Sequence, residues 1–425
     1  MIDLIKKYIK SEVIKNFFVY SFGAIFLKGV TFFLIPIYTK ILKPEEFGQL
    51  ELINTVISIL SIIYGFGLTQ LVFIKYFKLN KEEKKTFLTK INLIYIGLAV
   101  PLFALTAIFL LNNNIFSLPN NSFSIITLIL LSAFLTFFQL NFFSISQLEK
   151  KAVFLTNFKL LSGILVLVLN VILVYYYRLG ISGILFSNFA VLLLTALFII
   201  TKNKEYFSFA SINKIQKKEV ADLLKMGIPF ILSSLSSWLM IAADRWLIAY
   251  FLQPSSVGIY SVAFKFAIVF EPLLIAPILS VYNPYIFEKF KRNNLNQNSL
   301  KLIVGVICIF FLLSIISYLG ANLMIDESFS ESLSLIPILV LGFAFSLLAQ
   351  VFAALMIYQN KSKLLVQNVL ISSLINIFIN CIFIKYFGLF GVATAFLLSN
   401  FTWFLLTFFQ NYKLKQKLKL AAVYH

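Results

Sequence analysis

Asp244 and Arg245 stand side by side inside an apolar run, and Lys265 and Glu271 stand inside the next one. On insertion scales such a group costs about 2.5–3.5 kcal/mol at a bilayer centre, so by default it faces a bundle interior or a wet cavity. Helical geometry separates the adjacent pair. At roughly 100° per residue, Ser233, Ser237, Met240 and Asp244 fall within about 60° of one another. Ser234, Trp238 and Arg245 form another stripe about 100° away. Asp244 and Arg245 therefore do not meet each other, and each needs a partner on another helix or a ligand. Lys265 has no acid within a helical turn, and neither does Lys28, which shares a face with Ser21. Asp244 and Glu271 admit two roles. A carboxylate in a low-dielectric cavity can carry a proton or ligate sodium; alternatively, each simply neutralises Arg245 or Lys265. Ser233 and Ser237 are candidate polar lining on the Asp244 stripe. Asn368, Ser372, Asn376 and Asn380 recur every four residues, and either line a polar path or hydrogen-bond between helices. Glu51, a few residues into another apolar run, reads as a residue of the outer interface.

The elements that position these groups follow from composition. Hydrophobic residues make up 60% of the 425, and mean hydropathy is +0.93, which implies a polytopic membrane protein. The apolar runs predict an all-α integral membrane fold of about twelve spans, each near the ~20 residues that cross ~30 Å of hydrocarbon. The net charge is +19, with 36 Lys and Arg against 17 Asp and Glu. The basic residues lie between apolar runs, which points to membrane topology rather than to nucleic acid. They crowd into the even-numbered breaks and both termini, whereas the odd-numbered breaks hold few, mainly Lys40, Lys43, Arg178 and Lys385. Positive-inside bias then places both termini in the cytoplasm. Residues 1–16 read as a basic amphipathic helix on that face, with Ile2, Ile5, Ile9 and Val13 opposite the lysines. No cleavable signal peptide is expected.

The sequence also repeats itself. Leu42, Pro44 and Gly48 recur as Leu252, Pro254 and Gly258, and Asn170 recurs as Asn380, all 210 residues apart. Gly180 and Gly183 match Gly388 and Gly391, and Ser187-Asn188 matches Ser399-Asn400, at slightly shifted offsets. Six spans per half predict two parallel, pseudo-symmetric six-helix bundles around a central cavity, a transporter geometry. The expected divisions are 1–201 for the first bundle with its basic N-terminal helix, 202–222 for a cytoplasmic linker, 223–411 for the second bundle, and 412–425 for a basic cytoplasmic tail. The charges are not repeated: at the 210 offset Asp244, Arg245 and Lys265 correspond to Leu34, Ile35 and Thr55.

The run Ile35-Pro36-Ile37-Tyr38-Thr39-Lys40-Ile41-Leu42-Lys43-Pro44-Glu45-Glu46-Phe47-Gly48, with Asp244-Arg245 and the phrase from Pro254 to Ser261, resembles the oligosaccharide-lipid flippases of bacterial polysaccharide synthesis, of O-antigen and capsule type. That family lies within a superfamily that also holds multidrug-and-toxin exporters. The resemblance spans essentially the whole chain. It implies a protein of the bacterial plasma membrane that moves undecaprenyl-diphosphate-linked oligosaccharide from the cytoplasmic to the outer leaflet, by alternating access through a cation-lined cavity. On that footing Lys28, Arg245 and Lys265 would bind the pyrophosphate, Arg by bidentate contact and Lys as a point charge; the other reading pairs them with Asp244 and Glu271. Partners implied are the lipid-linked glycan, membrane lipids, and a polysaccharide polymerase and chain-length regulator. No cofactor or metal is expected, beyond a coupling proton or sodium ion. Two cysteines and a sole histidine, His425, offer neither a metal site nor a proton relay. No P-loop, HExxH or GxSxG phrase is present, so an enzyme is not expected. A multidrug exporter of the same superfamily, or a membrane glycan polymerase or ligase, are the rival functions.

Overall fold

The computed structural model describes residues 32–112, 122–207, 216–292 and 299–423, together with Gly23, Phe26, Gly29 and Val30. The expected N-terminal amphipathic helix, with Lys28, lies outside the described residues. Within them no strand occurs. The helices are α1 (Phe32–Ile41), α2 (Pro44–Gly65), α3 (Leu68–Lys75), α4 (Lys81–Asn112), α5 (Ser122–Leu148), α6 (Ala152–Asn170), α7 (Gly180–Lys202), α8 (Lys217–Phe251), α9 (Pro254–Ile268), α10 (Ala276–Lys291), α11 (Ser299–Met324), α12 (Ser332–Tyr358) and α13 (Ser362–Val423).

Ten helices among the described residues are long and apolar enough to cross a membrane. One of these stretches, Lys363–Leu418, is far longer than a single crossing needs. It turns at Gly388, whose φ of 54° and ψ of −134° no helix holds, so it supplies the eleventh and twelfth expected spans. Helix α13 then carries on through the basic tail to Val423. After α2 the chain breaks at Phe66 and Gly67, both with positive φ, and restarts as α3. The proline-rich eighth span bends through a π turn, Glu271–Ile275, which holds Pro272. A ring that removes a backbone donor is accommodated there by a locally wider turn.

The chain packs as two compact units. One comprises Leu52–Leu235 with the residues up to Val30; the other comprises Thr31–Glu51 with Ser236–His425. Packing thus divides the chain differently from the expected linker at 202–222. The start of the first repeat joins the second unit, and α2 and α8 each contribute to both.

In the first unit Tyr95 stacks on Phe137 at 3.7 Å between centroids, and Lys90 bridges to Glu219 at 2.8 Å. In the second unit α12 is the core. Of its most apolar window 72% is buried, against 17% for α11. A helix apolar on every side must be enclosed by its neighbours, and Phe343 of α12 packs against Phe264 and Phe396.

The repeat is visible in backbone detail. Gly180 and Gly388 both adopt a left-handed φ, 55° and 54°. Gly183 packs on the carbonyl of Leu173, and Gly391 on that of Phe383, residues again 210 apart. Within the second unit the two Leu-Pro-Gly phrases meet each other. A Cβ on Gly48 would overlap the Pro254 carbonyl oxygen, and a Cβ on Gly258 would overlap that of Pro44. The contact is reciprocal, so α2 and α9 cross where only glycine lets two backbones touch.

Candidate functional site

That crossing sets the position of the charges. Glu51 follows Gly48 by one turn of α2, so it shares the face that meets α9. It is 6% exposed. Its Oε1 lies 2.9 Å from Lys265 Nζ on α9, and its Oε2 lies 3.9 Å from Arg245 Nε on α8. Glu51, expected as a residue of the outer interface, is thus enclosed by protein and paired with two cations. The close glycine contact carries the carboxylate inward, against the second repeat. Arg245 and Lys265 both lie within ion-pair distance of Glu51, an acid that the sequence reading does not match to them.

Two cations thus share one buried carboxylate. Arg245 is 6% exposed. It donates from Nη1 to the Ile241 carbonyl at 2.7 Å and lies over the Phe264 ring at 4.7 Å. Its Nε has no hydrogen-bond acceptor among the described residues, because 3.9 Å is an ionic rather than a hydrogen-bonding separation. Lys265 keeps 21% of its side chain exposed and approaches the Phe47 ring at 5.9 Å.

Asp244 points elsewhere, as helical geometry requires. It is fully buried, accepting from Tyr260 Oη at 2.8 Å and from Asn380 Nδ2 at 2.8 Å. Asn380 also donates to Asn376 Oδ1 at 3.1 Å, and Asn376 donates to Ser399 Oγ at 3.3 Å. The asparagine ladder is thus interhelical hydrogen bonding in a closed interior, and neither Asn376 nor Asn380 has exposed surface. Further along, Asn368 exchanges hydrogen bonds with Gln410 at 2.9 Å. Glu271 is exposed at the start of the π turn. Ser237 is exposed and Ser233 half-buried, although Met240 on the same stripe is buried. Among the described residues no group of three or more His, Cys, Asp or Glu could hold a metal.

The arrangement brings together Glu51, Arg245 and Lys265 in one cluster, and Asp244, Tyr260, Asn380 and Asn376 in another. Sequence reasoning missed Glu51 and Tyr260. The signal for Glu51 was available in its one-turn spacing from a repeated glycine.

Residues 13–290 match the family model described as polysaccharide biosynthesis protein. No curated protein matches the sequence significantly. Among solved structures, an inward-facing multidrug resistance MATE family transporter of the MOP superfamily aligns with TM-score 0.69 and 15% identity, over 92% of this chain and 95% of that one. A MOP superfamily transporter from Pyrococcus furiosus, described by the reversed polarity of its binding pocket, aligns with TM-score 0.64 and 16% identity, over 95% and 96%. A Vibrio cholerae MATE transporter aligns with TM-score 0.62 and 15% identity, over 95% of each chain. At such identities these likenesses establish the fold, that of multi-pass membrane transporters. The family match covers well over half of the sequence, and the chain belongs to the polysaccharide biosynthesis protein family.

Proposed function

We propose that the protein is a flippase that moves an undecaprenyl-diphosphate-linked oligosaccharide from the cytoplasmic to the outer leaflet of the bacterial plasma membrane. The observation that carries this reading is the sharing of Glu51 by Arg245 and Lys265. One carboxylate is shared by two cations, while Asp244, which also attracts Arg245, is held by Tyr260 and Asn380. A diphosphate would give both cations a further anionic partner. Arg245, with an Nε–H lacking an acceptor, and Lys265, partly exposed, are the groups that would receive it. The anion then competes with Glu51 for both cations, so binding and release exchange one ion pair for another. The polyprenyl tail stays in lipid while the headgroup crosses, in an alternating-access cycle. Asp244, in its separate hydrogen-bonded pocket, is the candidate for proton or sodium coupling.

The test is reconstitution into proteoliposomes with a fluorescent undecaprenyl-diphosphate oligosaccharide, scoring the fraction that becomes accessible in the opposite leaflet. Arg245→Ala or Lys265→Ala removes a charge-assisted contact worth about 1.5–3 kcal/mol, so the rate should fall roughly 10- to 100-fold. Wild-type rates in both variants would sink the assignment. The fold neighbours include multidrug transporters, which favours one alternative. In that case a deletion strain becomes drug-sensitive and lipid-linked intermediates do not accumulate on the cytoplasmic leaflet.

A further inference from the structure

A cavity of about 480 Å³ lies wholly within the first unit, at the lysine-rich ends of α5 and α7. It shares no residue with the Glu51 cluster. Its wall has three kinds of chemistry. Asn141, 4% exposed, donates from Nδ2 to Asn92 Oδ1 at 3.3 Å. Asn92 is held in turn by donating to the Tyr206 carbonyl at 3.0 Å. Among the described residues the Oδ1 of Asn141 has no donor. A buried amide oxygen without a partner is costly, and so points to something that supplies a hydroxyl or N–H. Lys202, at an exposed position, brings a further cation to the wall. Glu149 is already satisfied by Lys151 at 2.6 Å and by Tyr76 Oη at 3.0 Å. The Lys202 ammonium lies over the Phe154 ring at 4.4 Å. The third component is aromatic: Phe138, Phe142 and Phe154 line the same space.

Water could satisfy the Asn141 oxygen and solvate Lys202, but would leave the ring faces uncovered. An apolar molecule would leave both polar groups unmet. We propose that this cavity binds a phosphorylated, hydroxyl-bearing headgroup: the phosphate meets Lys202, a hydroxyl donates to Asn141 Oδ1, and the carbon skeleton lies against the phenylalanine rings. The volume fits a group of glycosyl-phosphate or phosphoglycerol size. By positive-inside bias this end of the helices faces the cytoplasm, where either an anionic phospholipid or a soluble sugar phosphate could enter.

The two sources are separated by native mass spectrometry and thermal shift on the detergent-purified full chain. In one arm the protein is offered phosphatidylglycerol or phosphatidylcholine; in the other, glucose 1-phosphate or glucose. Retention of phosphatidylglycerol at least tenfold over phosphatidylcholine supports the proposal and assigns a membrane lipid. Stabilisation by glucose 1-phosphate but not glucose supports it and assigns a soluble ligand. Lys202→Gln, at an exposed position that tolerates change, should lower the preference about tenfold, and Asn141→Leu should do the same if it folds. Arg245→Ala should leave it intact while slowing flipping roughly 10- to 100-fold, which separates this site from the translocation cluster. No discrimination by the wild-type protein in either arm, or wild-type discrimination in folded Lys202→Gln, overturns the proposal.

Discussion

Glu51 is the residue on which the charge balance of the second unit turns. Removing one partner of a buried ion pair leaves an uncompensated charge, at a cost of about 3–5 kcal/mol. Glu51→Gln should therefore lower thermal stability in detergent by that order, although the replacement is isosteric. Lys265→Gln in the same background should restore part of the loss, because it removes one of the two stranded cations. A double-mutant cycle on unfolding temperature measures this coupling, and additivity of the two changes would mean that Glu51 and Lys265 act independently. Asp244 obeys what helical geometry dictated: it diverges from Arg245 and finds Tyr260 and Asn380. That divergence was legible because it depends only on the 100° step between neighbours. The partner of Arg245 was not legible, because Glu51 lies almost two hundred residues earlier in the sequence and no local rule connects them. The alternatives weighed for it, Asp244 and Glu271, were the acids nearest in sequence. Proximity along a chain says little about proximity across a bundle.

Helix ends and helix contacts were easier to read than helix partners. The turn at Gly388 was announced by the repeat, since Gly180 and Gly183 match Gly388 and Gly391, and the structure turns there. The breaks at Pro44 and Pro254 were equally plain, since proline suits the first turn of a helix. What the pattern did not disclose was that the two repeated phrases touch, since periodicity marks a face without naming what covers it. The contact makes a sharp contrast among glycines. Gly48→Ala or Gly258→Ala drives a methyl group into a backbone carbonyl of the other helix, and backbone cannot step aside as a side chain can. Each should abolish the folded protein in the membrane, read as loss of the monodisperse peak in detergent. Gly320→Ala on α11 meets nothing within 4 Å and should be neutral or stabilise by up to about 1 kcal/mol. Gly388→Ala also meets nothing within 4 Å, yet its positive φ should cost about 1–3 kcal/mol. Equal behaviour of Gly48→Ala and Gly320→Ala would show that the α2–α9 crossing is looser than its geometry states.

At the scale of the whole chain, duplication and asymmetry do different work. The frame is duplicated: the positive-φ glycines, their packing on a carbonyl, and the crossing phrases all recur. The charges depart from it. Leu34, Ile35 and Thr55, which stand where Asp244, Arg245 and Lys265 would fall in the first repeat, are buried without charge. Glu51 corresponds to Ser261, fully buried with an Oγ that has no partner among the described residues. The cluster therefore draws its acid from one repeat and its bases from the other, an arrangement that neither half could make alone. Orientation in the membrane is a separate property, and it rests on lysine distribution. If positive-inside bias governs, Lys218 and Lys413, both exposed, face the cytoplasm, and the acidic loop holding Asp326 and Glu327 faces outward. Cysteine placement decides this once Cys308 and Cys381 are replaced by alanine. In intact cells a membrane-impermeant maleimide should label Glu327→Cys, whereas Lys218→Cys and Lys413→Cys should react only after permeabilisation. Labelling of Lys218→Cys from outside would invert the topology. The Lys202 end of the first unit would then face outward, and a headgroup bound there would come from the outer leaflet or the medium.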